Sequence, residues 1–363
     1  MQTTVDTINF TRGVPANESF PIAEMADAAQ AALQEHGPAM LQYGPAAGFL
    51  PLREWLAESQ QVSIESVLTS NGSLQLLEFL FLETLGPGDV VFTESPTYDR
   101  TLTLLRRRGA SIVGIRLEAD GPDLGDLERA LSRGTPKLLY LIPDFQNPAG
   151  ATCSRPKRDR IVELARTHGF LIVEDAPYRP LRYRGNEEPT LRELAPDCTV
   201  HLSSFTKLIG PGIRTGFMVG PPALIAKLAR VAEDTYISPG YLAQGITNAW
   251  CRRGLLPPQI ERLKGLYRPR LDACLGSLDR HMPDAVATRP EGGFFVSLTL
   301  PEGVTTTAVR TAAAARGVNL ADGLAFFPDG GGTRFLRLPF CALTPEQIDE
   351  GILRLAAAVA AVR

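Results

Sequence analysis

The chain has 363 residues, enough for one large domain with a smaller companion and a sizeable core. Its 37 Lys+Arg against 40 Asp+Glu leave a net charge of -3, which excludes a global basic field for nucleic acid or an acidic membrane surface. The five cysteines, Cys153, Cys198, Cys251, Cys274 and Cys341, are odd in number and lack a CxxC pair or clustered histidines, which argues against a disulfide scaffold and a metal site.

Residues 1–12 have neither a basic nor an apolar leader region, and the richest apolar run, 76–85, contains two glutamates. A soluble, cytoplasmic protein with no membrane partner is expected. Segment 10–21 is rich in Gly, Pro and Asn, so residues 1–42 read as an arm and a helix packed on the smaller domain. From 66 to 219, short β-rich runs alternate with helix-length segments, the signature of parallel βαβ units. Strands are predicted at 67–69, 90–93, 111–115, 137–142, 171–174, 200–202 and 215–219. Helices are predicted at 73–85, 101–108 and 156–168, with Gly86, Gly109 and Gly169 as stops. The run Arg106-Arg107-Arg108 ends one of these helices and complements its dipole.

After Tyr241 the pattern becomes a long helix at 259–281, strands at 293–299 and 333–338 around a helix at 305–316, and a last helix from Pro345. The expected architecture is α/β: a large domain, 43–245, with a mostly parallel sheet covered by helices, and a smaller α+β domain, 246–363. No flexible linker separates them.

Ligands of open parallel sheets bind beyond the carboxyl ends of the strands, so the strand-to-helix junctions are the places to inspect. After 67–69 comes Ser70-Asn71-Gly72-Ser73-Leu74-Gln75, whose small residues open a helix that can cradle a phosphate or simply cap it. After 137–142 comes Asp144-Phe145-Gln146-Asn147-Pro148-Ala149-Gly150, which also reads as a plain turn. Asp175 ends an apolar strand, where a carboxylate caps the next turn or faces a cationic ring nitrogen; Pro177 and Tyr178 follow it. After 200–202 comes Ser203-Ser204-Phe205-Thr206-Lys207-Leu208-Ile209-Gly210-Pro211-Gly212-Ile213-Arg214, where a lone lysine flanked by apolar residues suits a partly buried, reactive amine. Together the junctions ask for a ligand with a phosphate, a protonated aromatic nitrogen and a carbonyl. Pyridoxal 5′-phosphate (PLP) meets all three demands.

On these motifs the chain resembles, over nearly its whole length, the class I/II aminotransferases of PLP fold type I, nearest to the 2-aminoadipate and kynurenine aminotransferases. The resemblance implies an enzyme that moves an amino group between an α-amino acid and a 2-oxo acid by a ping-pong mechanism. It also implies Lys207 as the cofactor-bearing lysine, and Ser204, Thr206 and Arg214 as phosphate ligands beside Gly72, Ser73 and Leu74. Asp175 and Tyr178 match the pair on the pyridine nitrogen and the ring oxygen, Asn147 the asparagine that shares that oxygen, and Tyr98 the aromatic stacked on the ring. Arg337, in Phe335-Leu336-Arg337-Leu338-Pro339, matches the arginine that takes the substrate carboxylate, and Gly13 the glycine lining the substrate space. Tyr43 matches a residue that reaches the partner subunit's phosphate, so a homodimer with shared sites is implied.

Three positions depart from the commonest pattern: Thr206 for serine, Leu74 for glutamine, and Ala321-Asp322-Gly323 for Ala-Pro-Gly. Asp322 reads as a turn residue, and Arg12 and Arg179 as structural rather than substrate-binding arginines. The alternatives are another fold type I reaction on an amino acid, such as a β-lyase, decarboxylase or cyclase; a transcriptional regulator built on this fold, for which Gly13 in the arm leaves no room; and a binding relic, which would have lost Lys207 or Asp175.

Overall fold

Leucine, valine and isoleucine runs of four to six residues, each closed by a polar or glycine-rich junction, form strands that are buried on both faces. In the computed structural model, which describes residues 7–363, the chain opens with β1 (Ile8–Phe10), α1 (Ile22–Leu41) and α2 (Leu50–Gln60). The first six residues of the expected arm lie outside the described residues. The wound region follows as β2 (Val67–Ser70), α3 (Ser73–Thr84), β3 (Val90–Ser95), α4 (Asp99–Arg107), β4 (Ser111–Glu118), β5 (Gly121–Pro122), α5 (Leu124–Leu131), β6 (Leu138–Leu141) and α6 (Arg155–His168). It continues through β7 (Leu171–Asp175), α7 (Leu191–Leu194), β8 (Thr199–Ser204), β9 (Gly216–Val219) and α8 (Pro222–Tyr236). The last part holds α9 (Tyr241–Arg252), α10 (Leu256–His281), β10 (Val286–Ala287), β11 (Phe295–Thr299), α11 (Thr306–Ala314), β12 (Val318–Leu320), β13 (Phe335–Pro339) and α12 (Pro345–Ala360).

β2 to β9 form one eight-stranded sheet in the order β2-β9-β8-β7-β6-β3-β4-β5. The ladders joining β4, β3, β6, β7 and β8 are parallel. β9 departs from the expected parallel run: it is antiparallel to both β2 and β8. The physical reason lies in the connection, because the link from β8 to β9 contains only two short 3-10 turns and a parallel return needs a helix-length crossover. Period-two alternation splits the buried strand residues between two helix layers. Leu68, Tyr140 and Val173 pack under α3 and α8 with Leu76, Leu80 and Leu228, while Leu139 and Ile172 pack over α5 and α6 with Leu127, Ile161 and Ala165.

The C-terminal lobe is built on the antiparallel sheet β10-β11-β13, covered by α10 and α12. β1 pairs in parallel with β12, with Phe10 opposite Leu320, which fastens the arm strand to this lobe. The arm helix goes elsewhere. Ala28, Ala32 and Met40 of α1 share a core with Phe49, Val67, Phe217 and Trp250, so α1 lies on α9 beside the large sheet rather than on the smaller domain. The expected boundary between residues 245 and 246 falls inside α9. No described helix is long and apolar enough to cross a membrane.

Candidate active site

The carboxyl ends of β6, β7 and β8 point to one edge of the sheet, and there a cavity of about 140 Å³ opens. It is lined by Gly72, Ser73, Leu74, Tyr98, Ile142, Asn147, Asp175, Pro177, Tyr178, Ser204, Thr206, Lys207 and Arg214. Eleven of these are residues singled out above from the sequence; Ile142 and Pro177 complete the wall.

One end of the cavity is shaped for an anion. Gly72 precedes α3 without a side-chain cap, so the first N–H groups of that helix remain available for a ligand. Its φ is +99°, and a Cβ there would stand 2.5 Å from Arg214 Nη2. Gly216 is equally constrained: a Cβ would stand 2.4 Å from the Ser73 nitrogen, so a side chain would push the helix start away. Arg214 holds a left-handed backbone (φ 46°), and its Nη2 donates to the Asn71 carbonyl at 2.8 Å. Ser204 Oγ donates to Thr206 Oγ1 at 2.7 Å and accepts from the Thr206 N–H at 3.1 Å, which brings both hydroxyls to the same side. A helix start, two hydroxyls and a guanidinium are the kinds of group that can receive a phosphate.

Asp175 supplies the opposite pole. Burial pushes its carboxyl up to about 6, against the hydrogen bond from Tyr140. Tyr140 Oη donates to Asp175 Oδ2 at 2.7 Å, while Oδ1 is buried without a partner. A buried carboxylate oxygen left unpaired is costly unless a donor arrives, and a protonated ring nitrogen is such a donor. Burial also holds the Tyr178 hydroxyl well above the usual tyrosine range and raises that of Tyr98 to about 12, so both stay protonated as donors.

Lys207 is the last residue of a single 3-10 turn that follows β8. Burial lowers its ammonium to about 8, with the Arg337 charge acting in the same direction, so part of it is a free amine near neutrality. Its Nζ donates to the Gly13 carbonyl at 2.9 Å and lies 5.8 and 5.6 Å from the ring centroids of Tyr178 and Phe294. The cavity chemistry therefore fits PLP: an anion cradle, an unpartnered carboxylate oxygen and a buried amine face one space.

Arg337 stands beside this space rather than in its wall. Its guanidinium is sandwiched between the rings of Phe295 (4.8 Å) and Phe326 (4.5 Å), with Nη1 donating to Asn147 Oδ1 at 2.9 Å and Nη2 to the Thr11 carbonyl at 2.8 Å. Nε is buried and unpartnered. Burial lowers its affinity for the proton, but an arginine stays charged. Tyr43 is not brought to the cavity: its side chain is 74 % exposed. Arg179 pairs with Asp144 and Glu187, and Asp322 caps the turn at Leu324 and pairs with Arg310, so both have structural work.

Sequence reasoning missed the supports. Gln146 donates to Glu94 Oε2 (3.0 Å) and to the Pro96 carbonyl (2.8 Å) and accepts from the Ala149 N–H, which fixes the loop carrying Asn147. Tyr140 was hidden in an apolar strand. Its signal was a hydroxyl with no partner inside the run Leu138-Leu139-Tyr140-Leu141.

Comparison with known proteins agrees with this geometry. Residues 5–355 match the family model described as aminotransferase class I and II. The 2-aminoadipate transaminase of Thermus thermophilus is 36% identical over 357 residues, covering 97% of this chain and 90% of the relative. Aromatic-amino-acid aminotransferase 1 of Thermococcus litoralis is 36% identical over 366 residues, covering 97% and 88%. The crystal structure of the alpha-aminoadipate aminotransferase from Thermus thermophilus, complexed with N-(5'-phosphopyridoxyl)-L-leucine, matches with a TM-score of 0.94 at 35% identity, covering 98% of this chain and 92% of that one. The lyase, decarboxylase and cyclase alternatives are not favoured by these relatives. The chain belongs to the class I and II aminotransferases, PLP-dependent fold type I enzymes that transfer an amino group between an amino acid and a 2-oxo acid.

Proposed function

We propose that the cavity is a PLP site in which Gly72, Ser73, Leu74, Ser204, Thr206 and Arg214 would hold the phosphate, Tyr98 would stack on the ring and Asp175 would meet its nitrogen. The observation that carries this reading is the buried, unpartnered Oδ1 of Asp175 in a cavity that also contains a lysine amine. When bound, PLP supplies an electron sink for the bond broken at the substrate Cα.

The chain's own residues then have distinct tasks. Lys207 would hold the cofactor by its amine and, when free, would be the base beside the substrate Cα; an ammonium lowered by burial to about 8 is suited to moving a proton near neutral pH. Asp175 holds the ring nitrogen in its protonated form by charge pairing. Asn147 and Tyr178, which line the same cavity, would donate to the ring oxygen. Arg337 receives the α-carboxylate: its two-pronged donor set fixes the angle of the Cα–H bond in a way a point charge does not. Nε is the guanidinium donor still without a partner, Nη1 and Nη2 being steadied by Asn147 and the Thr11 carbonyl, and Gly13 is needed as a glycine because a Cβ there would meet the Phe295 ring.

Borohydride reduction of the loaded enzyme followed by peptide mapping tests the assignment. The label is expected on Lys207; a label on another lysine refutes it. Exposure of the loaded form to an amino-acid panel, starting with 2-aminoadipate and the aromatic amino acids for which the relatives are named, identifies the substrate side chain by the oxo acid released.

The same reading makes the protein a homodimer. Tyr43 is exposed together with Leu41 at the end of α1, Leu50 at the start of α2, Ile237 just after α8 and Leu242 at the start of α9, all large apolar side chains. In the dimer Tyr43 reaches the partner's phosphate. Mixing Tyr43→Ala with Lys207→Ala subunits should restore activity by forming one intact site per mixed dimer, and absence of rescue places Tyr43 in its own subunit. A cytoplasmic setting accords with the five cysteines, all of which are free thiols.

A further inference from the structure

A buried carboxylate such as Asp175 is drawn towards its neutral form by desolvation, and either oxygen can turn to the cavity. Something must settle both questions. β6 and β7 are in parallel register with Tyr140 opposite Val173, so Asp175, two residues further on, stands diagonally across from Tyr140 on the same face. Tyr140 is wholly buried, and its ring packs in the core with Leu76, Leu80 and Val173, which leaves its hydroxyl few places to go. That hydroxyl donates to Oδ2 at 2.7 Å, and Oδ1 is the oxygen left without a partner.

Resting on the assignment of Asp175 to the ring nitrogen, we propose that Tyr140 is a positioning residue for the cofactor ring: its hydroxyl pins one carboxylate oxygen, presents the other, and keeps the shared proton on the ring nitrogen. The physical basis is the preference of a hydrogen-bond donor for an anion over a neutral acid. Between nitrogen and carboxylate a single proton has two positions. Donation from Tyr140 stabilises the arrangement with the proton on nitrogen and the charge on the carboxylate; without it the proton moves towards Oδ1. No proton is gained or lost in the exchange.

The test loads the full-length protein with PLP labelled with ¹⁵N in the ring and reads the nitrogen shift at pH 7.5 in the wild type, in Tyr140→Phe and in Asp175→Asn. The wild type should give a protonated ring and Asp175→Asn a neutral one. Tyr140→Phe should move a clear part of the way to neutral, with kcat lowered by about tenfold, the size expected for one hydrogen bond to a charged group. If Asp175→Asn shifts the signal and a folded Tyr140→Phe does not, the role of Tyr140 is wrong and the Asp175 assignment stands. If Asp175→Asn leaves the signal unchanged, the Asp175 assignment itself fails. Should Tyr140→Phe not fold, 3,5-difluorotyrosine at position 140 keeps the shape and strengthens the donor. The signal must then stay with, or move further towards, the protonated ring, and a move to neutral overturns the proposal.

Discussion

Glu174 and Asp175 are chain neighbours at the end of β7, both buried, and strand alternation sends them to opposite faces of the sheet. Glu174 is fully satisfied. Its Oε1 accepts from the Leu191 N–H at 2.8 Å, and its Oε2 from the Arg192 N–H at 3.2 Å and lies 2.9 Å from His201 Nδ1. Burial alone would raise its carboxyl, but the hydrogen bond and charge of His201, with the Leu191 N–H, carry it below the usual glutamate range. Asp175 has one partner, an empty oxygen and a carboxyl raised to about 6. Two carboxylates in similar burial thus differ by what surrounds them: one has both oxygens satisfied by the fold, the other has only one.

Replacing each in turn breaks the comparison at its strongest point. Asp175→Asn should keep PLP through the phosphate cradle and lose about 3–5 kcal/mol of transition-state stabilisation, as when one member of a buried charge pair is removed; stopped-flow half-reactions measure it. Wild-type turnover in that variant reduces Asp175 to a turn cap. Arg337→Lys should lose roughly 2–4 kcal/mol in kcat/KM for the best amino acid while leaving the bound-cofactor spectrum unchanged, and should barely affect an amine without a carboxylate.

Smaller and of opposite sign are the effects on stability without cofactor. A carboxyl raised to about 6 makes the folded state hold a proton between about pH 4 and 6 that the unfolded chain has lost, so Asp175 destabilises the fold above pH 6. Asp175→Asn should therefore stabilise the cofactor-free protein at pH 7 by roughly 1–3 kcal/mol, with the gain vanishing below about pH 4. Glu174→Gln should do the reverse. Its lowered carboxyl contributes stability above the unfolded value, about 4.3, that is lost as pH falls through the folded one, so the variant should cost about 1–3 kcal/mol at pH 7 and less in acid. Denaturant titrations at pH 7 and pH 4 separate the two slopes. Equal slopes would show that the neighbours share one electrostatic role.

The strand-end residues of the site were legible in the sequence, but the contrast between the two carboxylates was not, for physical reasons. Strand-end residues such as Asp175 and Lys207 stand out because polar groups after apolar runs are unusual, and the sheet brings them to one edge. Asp175 could be noticed but not weighed against Glu174, because the difference lies in Leu191, Arg192 and His201 on one side and Tyr140 on the other, all of them partners set by tertiary packing. β9 read as one more parallel strand because direction depends on the connection and leaves no trace in the strand's own residues. α1 was assigned to the wrong neighbour for a similar reason: an alanine-rich face fits any groove, and α9 provides it. Gly216 passed unnoticed because its constraint comes from Ser73, far away in sequence.

The β1–β12 pairing has a consequence in time. Asn9 hydrogen-bonds to Asn319 across a separation of 310 residues, and the carbonyls of Thr11 and Gly13 that receive Arg337 and Lys207 follow directly after that strand. Every residue lining the cavity precedes position 215, whereas β12, the arm's mate, and Arg337 come well after it in the chain. Contacts so far apart in sequence close late. Because the carbonyls that partner Lys207 and Arg337 lie just after β1, both side chains gain these partners only once β1 has docked on β12.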